Sequence, residues 1–290
     1  RDLVRHGAQP PHEFLELGHL LHELRLFKSR DELRLMKRAA EISAEAHLAA
    51  MRAARPGVRE YEVEAALQYV FRRHGAVPAY EPIVGAGANA CVLHYTANDA
   101  PVREGDLMLI DAGAEVGGYA ADISRTFPVS GCYSKAQRAI YQIVLDAQRA
   151  ALAQSVPGKS WDAPHQAAVE VIAEGLLSLG LLRGSLRQVL KSGAYKRFYM
   201  HKTGHWLGLD VHDVGEYRVD GEYRELEPGM VYTVEPGVYI APGSKGVPAK
   251  WQGIGVRIED DVAITAAGHE VLTAAAPKDI DAIEALLAAR

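Results

Sequence analysis

Residues 105–113 read GDLMLIDAG, and the same grammar returns at 229–237 as GMVYTVEPG. Each copy is a glycine, a strand-like run, one carboxylate six residues on and a closing glycine, which puts Asp111 and Glu235 in equivalent places. The flanking sequence repeats too. Before the first copy, a capping box Ser29-x-x-Glu32 opens a helix that runs to about residue 55 and ends at RPG. A second helix covers about 59–74 and closes on Gly75. Before the second copy, Ser134-x-x-Gln137 opens a helix that runs to SVPG, and another covers about 160–179. Strand-like sequence follows in each half: LMLIDAGAEVGGYAADISRTFPV, then MVYTVEPGVYI and GVRIEDDVAIT. A duplicated helix-helix-strands unit predicts an α+β fold. If the strands of the two halves join around a pseudo-twofold axis, equivalent acids converge on one cleft.

Taken alone, Asp111 and Glu235 would pass for ordinary strand-end residues. Their neighbours change that reading. The segment between Asp111 and Asp122 reads as a hairpin turned at or beside Gly117-Gly118. A loop at 116 and 117 sets the two acids directly opposite, and a loop at 117 and 118 sets them diagonally on one face, unless a bulge intervenes. Two carboxylates about 5 Å apart repel by roughly 3 kcal/mol at an effective dielectric near 20. Glu235 is followed by Pro236, which closes its strand, and Glu259 alternates with Val256 and Ile258 in VRIEDDV, sharing a face with Arg257. By itself Glu259 would be a solvated face. Four clustered carboxylates carry six repelling pairs, roughly 15 kcal/mol or more on that scale, against a whole-domain stability of about 5–15 kcal/mol. Protonation or cations must relieve it. Two divalent ions would balance four carboxylates and still favour hydroxide over water. A mostly carboxylate donor set with one imidazole suits Mn²⁺, although Co²⁺ or Zn²⁺ would fit the same cage.

Which imidazole is left open by the residues. The stretch MHKTGHWLGLDVHD, 200–213, holds three histidines, of which His201 and His205 have the spacing of a zinc-binding helix. That pattern needs a glutamate after the first histidine. Lys202 stands there instead, and two nearby glycines make poor helix. Bulk properties narrow the partners. A formal charge of −5 with scattered basic residues argues against nucleic acid and against a membrane surface. Two cysteines, Cys91 and Cys132, cannot build a disulfide framework, which fits the cytoplasm. No apolar stretch reaches membrane-span length, and the start RDLVRHGAQPP lacks a signal-peptide core.

LIDAG…ADISRTFPV, HKTGHWLGLDVHD, TVEPGVYI and GIGVRIEDD, in this order, resemble the Xaa-Pro aminopeptidase (aminopeptidase P) family of pita-bread-fold metallopeptidases, from about LHELRLFKS at Leu21 to near the C-terminus. The resemblance implies a curved antiparallel sheet around the pseudo-twofold axis and a two-metal cage at Asp111, Asp122, His205, Glu235 and Glu259. It makes His205 the ligand. His94, His201 and His212 would bind substrate and steady the reacting carbonyl and leaving group, with Arg257 orienting an acidic ligand. Glu235 would double as general base, with His201 or His212 donating a hydrogen bond. Tyr239 reads equally as core aromatic and is left outside the expected site.

The implied reaction is removal of the residue before proline at a peptide's N-terminus by a metal-bridging hydroxide. Xaa-Pro dipeptidase (prolidase) shares the cage and is the nearest rival. Methionine aminopeptidase lacks the LDVHD extension, and an inactive relative serving as a binding module would usually have lost ligands. Members of the family carry an upstream domain that contributes to oligomer contacts. Residues 1–20 are therefore expected to be a stub before a catalytic domain at 21–290, and a homo-oligomer stays open.

Overall fold

Caps start the long helices. In the computed structural model, which describes residues 6, 7 and 15–289, α1 spans Gly18–Leu26, α2 Arg30–Ala53, α3 Glu60–Arg73, α4 Lys135–Gln154, α5 Ala163–Ser178, α6 Leu186–Ser192 and α7 Ile280–Ala288. Ser29 N–H donates to the Glu32 carboxylate at 2.7 Å, and Glu32 N–H donates to Ser29 Oγ at 3.4 Å, forming the expected capping box. Ser134 and Gln137 do the same for α4. Helix α5 begins at Ala163, because residues 160–162 are spent on a turn before Pro164 enters the first helical turn. Much of the stub expected at 1–20 lies outside the described residues.

The strands are β1 Val77–Pro78, β2 Ile83–Ala86, β3 Leu107–Asp111, β4 Ala114–Val116, β5 Tyr119–Ala120 and β6 Ser124–Pro128. They continue as β7 Arg218–Val219, β8 Glu222–Tyr223, β9 Val231–Val234, β10 Gly237–Ile240, β11 Ile254–Arg257, β12 Asp260–Thr265 and β13 Gly268–Val271. All their pairings are antiparallel. In the first half, β3 pairs β6 with Asp111 opposite Ser124, and β4 pairs β5 with Glu115 opposite Ala120. These belong to one hairpin register, carried across the gap by Ala112 N–H to the Ile123 carbonyl (3.0 Å) and Ala121 N–H to the Ala114 carbonyl (2.9 Å). The turn is Gly117-Gly118, both at positive φ (59° and 86°), as a two-residue type I′ loop requires. Of the two loop placements, the diagonal one holds, and no bulge shifts Asp122.

The second half repeats the device. Strands β9 and β12 pair with Val234 opposite Asp260, and β10 and β11 with Gly237 opposite Arg257, again in one register. It is interrupted at Glu235-Pro236 and Ile258-Glu259, where Ile258 N–H reaches the Pro236 carbonyl at 3.3 Å. Glu235 and Glu259 therefore face each other across the break. Asp122, Glu235 and Glu259 sit where the ladder is interrupted, and Asp111 ends its strand at the edge of the gap.

The halves are stitched together between β6 and the β11–β12 junction. Glu259 N–H donates to the Ser124 carbonyl at 3.0 Å, and Thr126 Oγ1 donates to the Arg257 carbonyl at 3.1 Å. Arg125, fully buried, donates to the carbonyls of Glu259, Ser124, Ala276 and Pro277 and to Asp260 Oδ1 at 2.7 Å. Asp260, also fully buried, accepts from Gln148, Thr273 and Lys278 besides. Outside the sheets, α2 packs on α3 and α4 on α5. A continuous apolar core runs from Ile42 and Val63 through Ile110 and Phe127 to Ile172 and Val256.

A buried ion pair that loses one partner leaves the other charge stranded, at a cost of about 3–5 kcal/mol. Asp260→Asn is expected to lower the unfolding free energy by about that much, read as a reduced midpoint in urea. An unchanged midpoint would show that the Arg125–Asp260 network does not hold the halves together.

Candidate metal centre

The 200–213 stretch is not helical. Residues 203–207 run antiparallel beside β9, with Glu235 N–H to the Thr203 carbonyl (2.8 Å), Thr233 N–H to the His205 carbonyl (3.0 Å) and Leu207 N–H to the Val231 carbonyl (3.1 Å). A Cβ on Gly204 would lie 1.9 Å from the Thr233 carbonyl oxygen, so only glycine permits this approach. His205 is thereby pinned beside Glu235. Its Nδ1 donates to the Trp206 carbonyl at 3.0 Å, which aims Nε2 at Asp122 Oδ2 (3.5 Å) and Glu235 Oε1 (3.7 Å).

These groups open into one cavity of about 450 Å³, which Asp111, Asp122, His205, Glu235 and Glu259 all line. Donor atoms of Asp122, His205 and Glu259 fall within 4.8 Å of one another. The remaining residues expected from sequence, His94, His201, His212 and Arg257, line it as well. Arg257 Nη2 donates to Asp111 Oδ2 at 2.6 Å, and its Nε donates to Ser124 Oγ at 2.8 Å, which in turn donates to Glu259 at 2.7 Å. Its Nη1 donates to the Tyr239 hydroxyl at 3.1 Å, whose oxygen lies 2.9 Å from His201 Nε2. Since His201 Nδ1 donates to the Lys202 carbonyl at 2.7 Å, both its ring nitrogens are engaged. His212 packs edge-on against His205 at 4.3 Å and has no hydrogen-bond partner among the described residues.

Two tyrosines in the site were not expected from sequence. Tyr239 stands on β10 near Arg257 on β11, and both pair with glycines, Gly255 and Gly237, which leave room for large side chains. That glycine pairing was the available signal. Tyr80 lies between β1 and β2, where the pairing to the next strand moves from Pro78–Ala114 to Ile83–Asp111 and throws two extra residues off the ladder. Its hydroxyl meets Asp111 Oδ1 at 2.6 Å and Asp122 Oδ1 at 2.5 Å. Pro78 and Pro82 flank it, and neither can donate to a ladder, a hint of the break. A phenol has one proton, so two carboxylates cannot both be satisfied by it; one must itself be protonated or face a cation.

The electrostatics say the same. Burial raises the Asp111 carboxyl, but the Arg257 guanidinium and the Tyr80 hydrogen bond outweigh it and leave the group below its ordinary value. For the other acids, burial and neighbouring carboxylates outweigh the partners they have. Burial and then Asp111 raise Asp122, while burial, Asp122 and Glu235 hold Glu259 well above the carboxylate range. Burial lifts Glu235 to about 7 against the opposing pull of His205 and Arg257. For His205, burial acts downward but the Asp122 hydrogen bond and the Glu235 charge prevail and raise it to about 9. Protons thus substitute for missing positive charge. Buried, oxygen-rich and with an imidazole nitrogen aimed into it, this donor set fits a divalent metal.

In the metal-free protein, Glu235, Glu259, Asp122 and His205 all bind protons more tightly when folded than when unfolded. Stability from such groups is complete below their unfolded pKa values and is lost as pH rises through the folded ones. Metal-free protein should therefore show a Tm that falls between about pH 5 and pH 9. Added Mn²⁺ should recover more at the alkaline end, where it displaces fewer protons. A Tm that climbs with pH across that window would contradict the charge assignment.

Residues 34–266 match metallopeptidase family M24. The chain is 49% identical over 286 residues to a Xaa-Pro aminopeptidase of Escherichia coli strain K12, covering 98% of this chain and 64% of that one. It superposes on the structure of Pseudomonas aeruginosa aminopeptidase PepP with a TM-score of 0.98 at 57% identity, covering 99% of this chain and 65% of that one. Zinc-substituted E. coli aminopeptidase P in complex with product gives 0.96 at 48% identity, with 99% and 65% coverage. The chain thus spans just under two-thirds of the length of these relatives.

Proposed function

Because the chain belongs to metallopeptidase family M24 and has its pita-bread fold, we propose that it hydrolyses the first peptide bond of peptides beginning Xaa-Pro. The observation that best supports this is the convergence of four carboxylates and the Nε2 of His205 on one buried cavity, with three further histidines on its walls. Asp111, Asp122, His205, Glu235 and Glu259 would hold two divalent ions, with Mn²⁺ the best match to the oxygen-rich set. When bound, the ions would polarise the scissile carbonyl and make water nucleophilic near neutral pH.

The protein's own groups divide the remaining work. Arg257 fixes Asp111 directly and Glu259 through Ser124. Glu235 is the proposed general base, since its second carboxylate oxygen faces the cavity beside His201 at 3.7 Å. His201 is tied to Tyr239 and the Lys202 carbonyl and so shapes the wall of the substrate site. His212, with free ring nitrogens, is the better placed to donate to the developing oxyanion or the departing proline nitrogen. His94, exposed on the rim, completes the binding surface for the leaving side. A proline amide has no N–H and restricts the residue before it, so a site whose walls are side chains such as His94, His201 and His212, rather than a strand that pairs with backbone N–H groups, suits it.

The catalytic unit is proposed to be residues 21–290. Cys91 and Cys132 are both free, in keeping with the cytoplasm as the proposed compartment. Among the described residues no helix is long and apolar enough to cross a membrane.

With Mn²⁺ supplied, Xaa-Pro-Yaa peptides should be cut after Xaa while Xaa-Ala-Yaa peptides are spared, as followed by chromatography of the products. Hydrolysis confined to Xaa-Pro dipeptides would favour the dipeptidase reading instead. Glu235→Gln should lower kcat by at least about 10²-fold, and near-normal turnover with metal still bound would refute the base assignment.

A further inference from the structure

A second cavity, of about 360 Å³, opens beside the candidate metal centre, and the two share His201 and Lys202 as a common wall. Its other side comes from the start of α5, with His165, and from the turn after α6, with Tyr195 and Lys196. Tyr199, buried, forms part of the floor. The Tyr199 hydroxyl lies 2.5 Å from Thr203 Oγ1 and His165 Nδ1 lies 2.7 Å from the same atom. The floor of the side cavity is therefore bonded to the segment that carries His205.

The charge inside this cavity is unbalanced. Lys196 and Lys202 both line it, against one carboxylate, Asp162, whose oxygen is 3.5 Å from Lys202 Nζ. Lys196 has no ion-pair partner among the described residues. Burial, then Lys202, lowers His165 to about 4, so it adds no charge near neutral pH. One positive charge is left over in a concave site next to the proposed point of cleavage.

An aminopeptidase substrate has nothing before its first residue, so beyond the catalytic cavity the peptide continues only on the leaving side. Resting on the Xaa-Pro peptidase reading, we propose that the side cavity receives the residue after proline and that Lys196 and Lys202 make it prefer a carboxylate there. That carboxylate comes from an acidic side chain or from the free C-terminus of a tripeptide. Both present the same anion to the same two ammonium groups.

Steady-state kinetics with four peptides separate these sources: Ala-Pro-Glu-amide, Ala-Pro-Gln-amide, Ala-Pro-Lys-amide and Ala-Pro-Gln with a free C-terminus. The Glu-amide and the free acid should each exceed the Gln-amide in kcat/KM by about threefold, the range of a solvent-exposed charge pair, with the Lys-amide lowest. Lys196→Glu, at a residue that lines only the side cavity, should invert the ratio of Glu-amide to Lys-amide, and salt should shrink both effects. Calorimetric binding of the product Pro-Glu-amide should exceed that of Pro-Gln-amide in the wild type and lose that advantage in Lys196→Glu. Turnover indifferent to charge after proline, in wild type and variant alike, would overturn the subsite alone, as would an acid preference confined to the first residue. No turnover on any Xaa-Pro peptide would overturn the peptidase reading and the subsite with it.

Discussion

One buried guanidinium organises the cavity. Arg257 reaches Asp111 directly, Glu259 through Ser124 and His201 through Tyr239, so three proposed functional side chains take their orientation from a single side chain on β11. It brings one positive charge to a site with four carboxylates, and His205, raised to about 9, brings another. That leaves the cavity short of positive charge. Burial first, and repulsion among the acids after it, push Asp122, Glu235 and Glu259 upward. The buried Arg125–Asp260 network fastens the two halves next to this site, since Asp260 directly follows Glu259.

Much of this was legible in the sequence. The repeat of GDLMLIDAG as GMVYTVEPG implied two similar halves, the capping boxes at Ser29 and Ser134 marked helices that form, and Gly117-Gly118 located the hairpin turn. Hairpin arithmetic brought Asp111 and Asp122 together and the repeat tied in Glu235, whereas the place of Glu259 beside them came from family resemblance. What could not be read was geometry that depends on contacts between distant segments. Tyr80 enters the cavity only because two residues are thrown off the β1–β2 edge, and no local pattern fixes where such a break falls. Tyr239 reads as a core aromatic until Arg257 and His201 are found on either side of its hydroxyl. Short helices α1, α6 and α7, of seven to nine residues, give periodicity too little length to register.

The histidines illustrate the same division. Spacing alone suggested a helix through His201 and His205, and only the mismatch at Lys202 and the glycines argued against it. The structure supplies the reason: the segment lies extended along β9, and Gly204 is required by the approach of the Thr233 carbonyl. The choice of His205 over its neighbours came from family resemblance, not from composition. In the fold it corresponds to a physical distinction, since His205 Nε2 points at two carboxylates, His201 is already occupied on both nitrogens, and His212 is free.

On the proposed function, this concentration of negative charge is there to hold a pair of divalent ions. Diffraction from crystals grown with manganese, recorded at its absorption edge, tests it most directly. Two anomalous peaks in the cavity bounded by Asp111, Asp122, His205, Glu235 and Glu259 are predicted. A cavity without a peak, or acids turned away from one another toward solvent, would show that the carboxylates do not serve to bind metal.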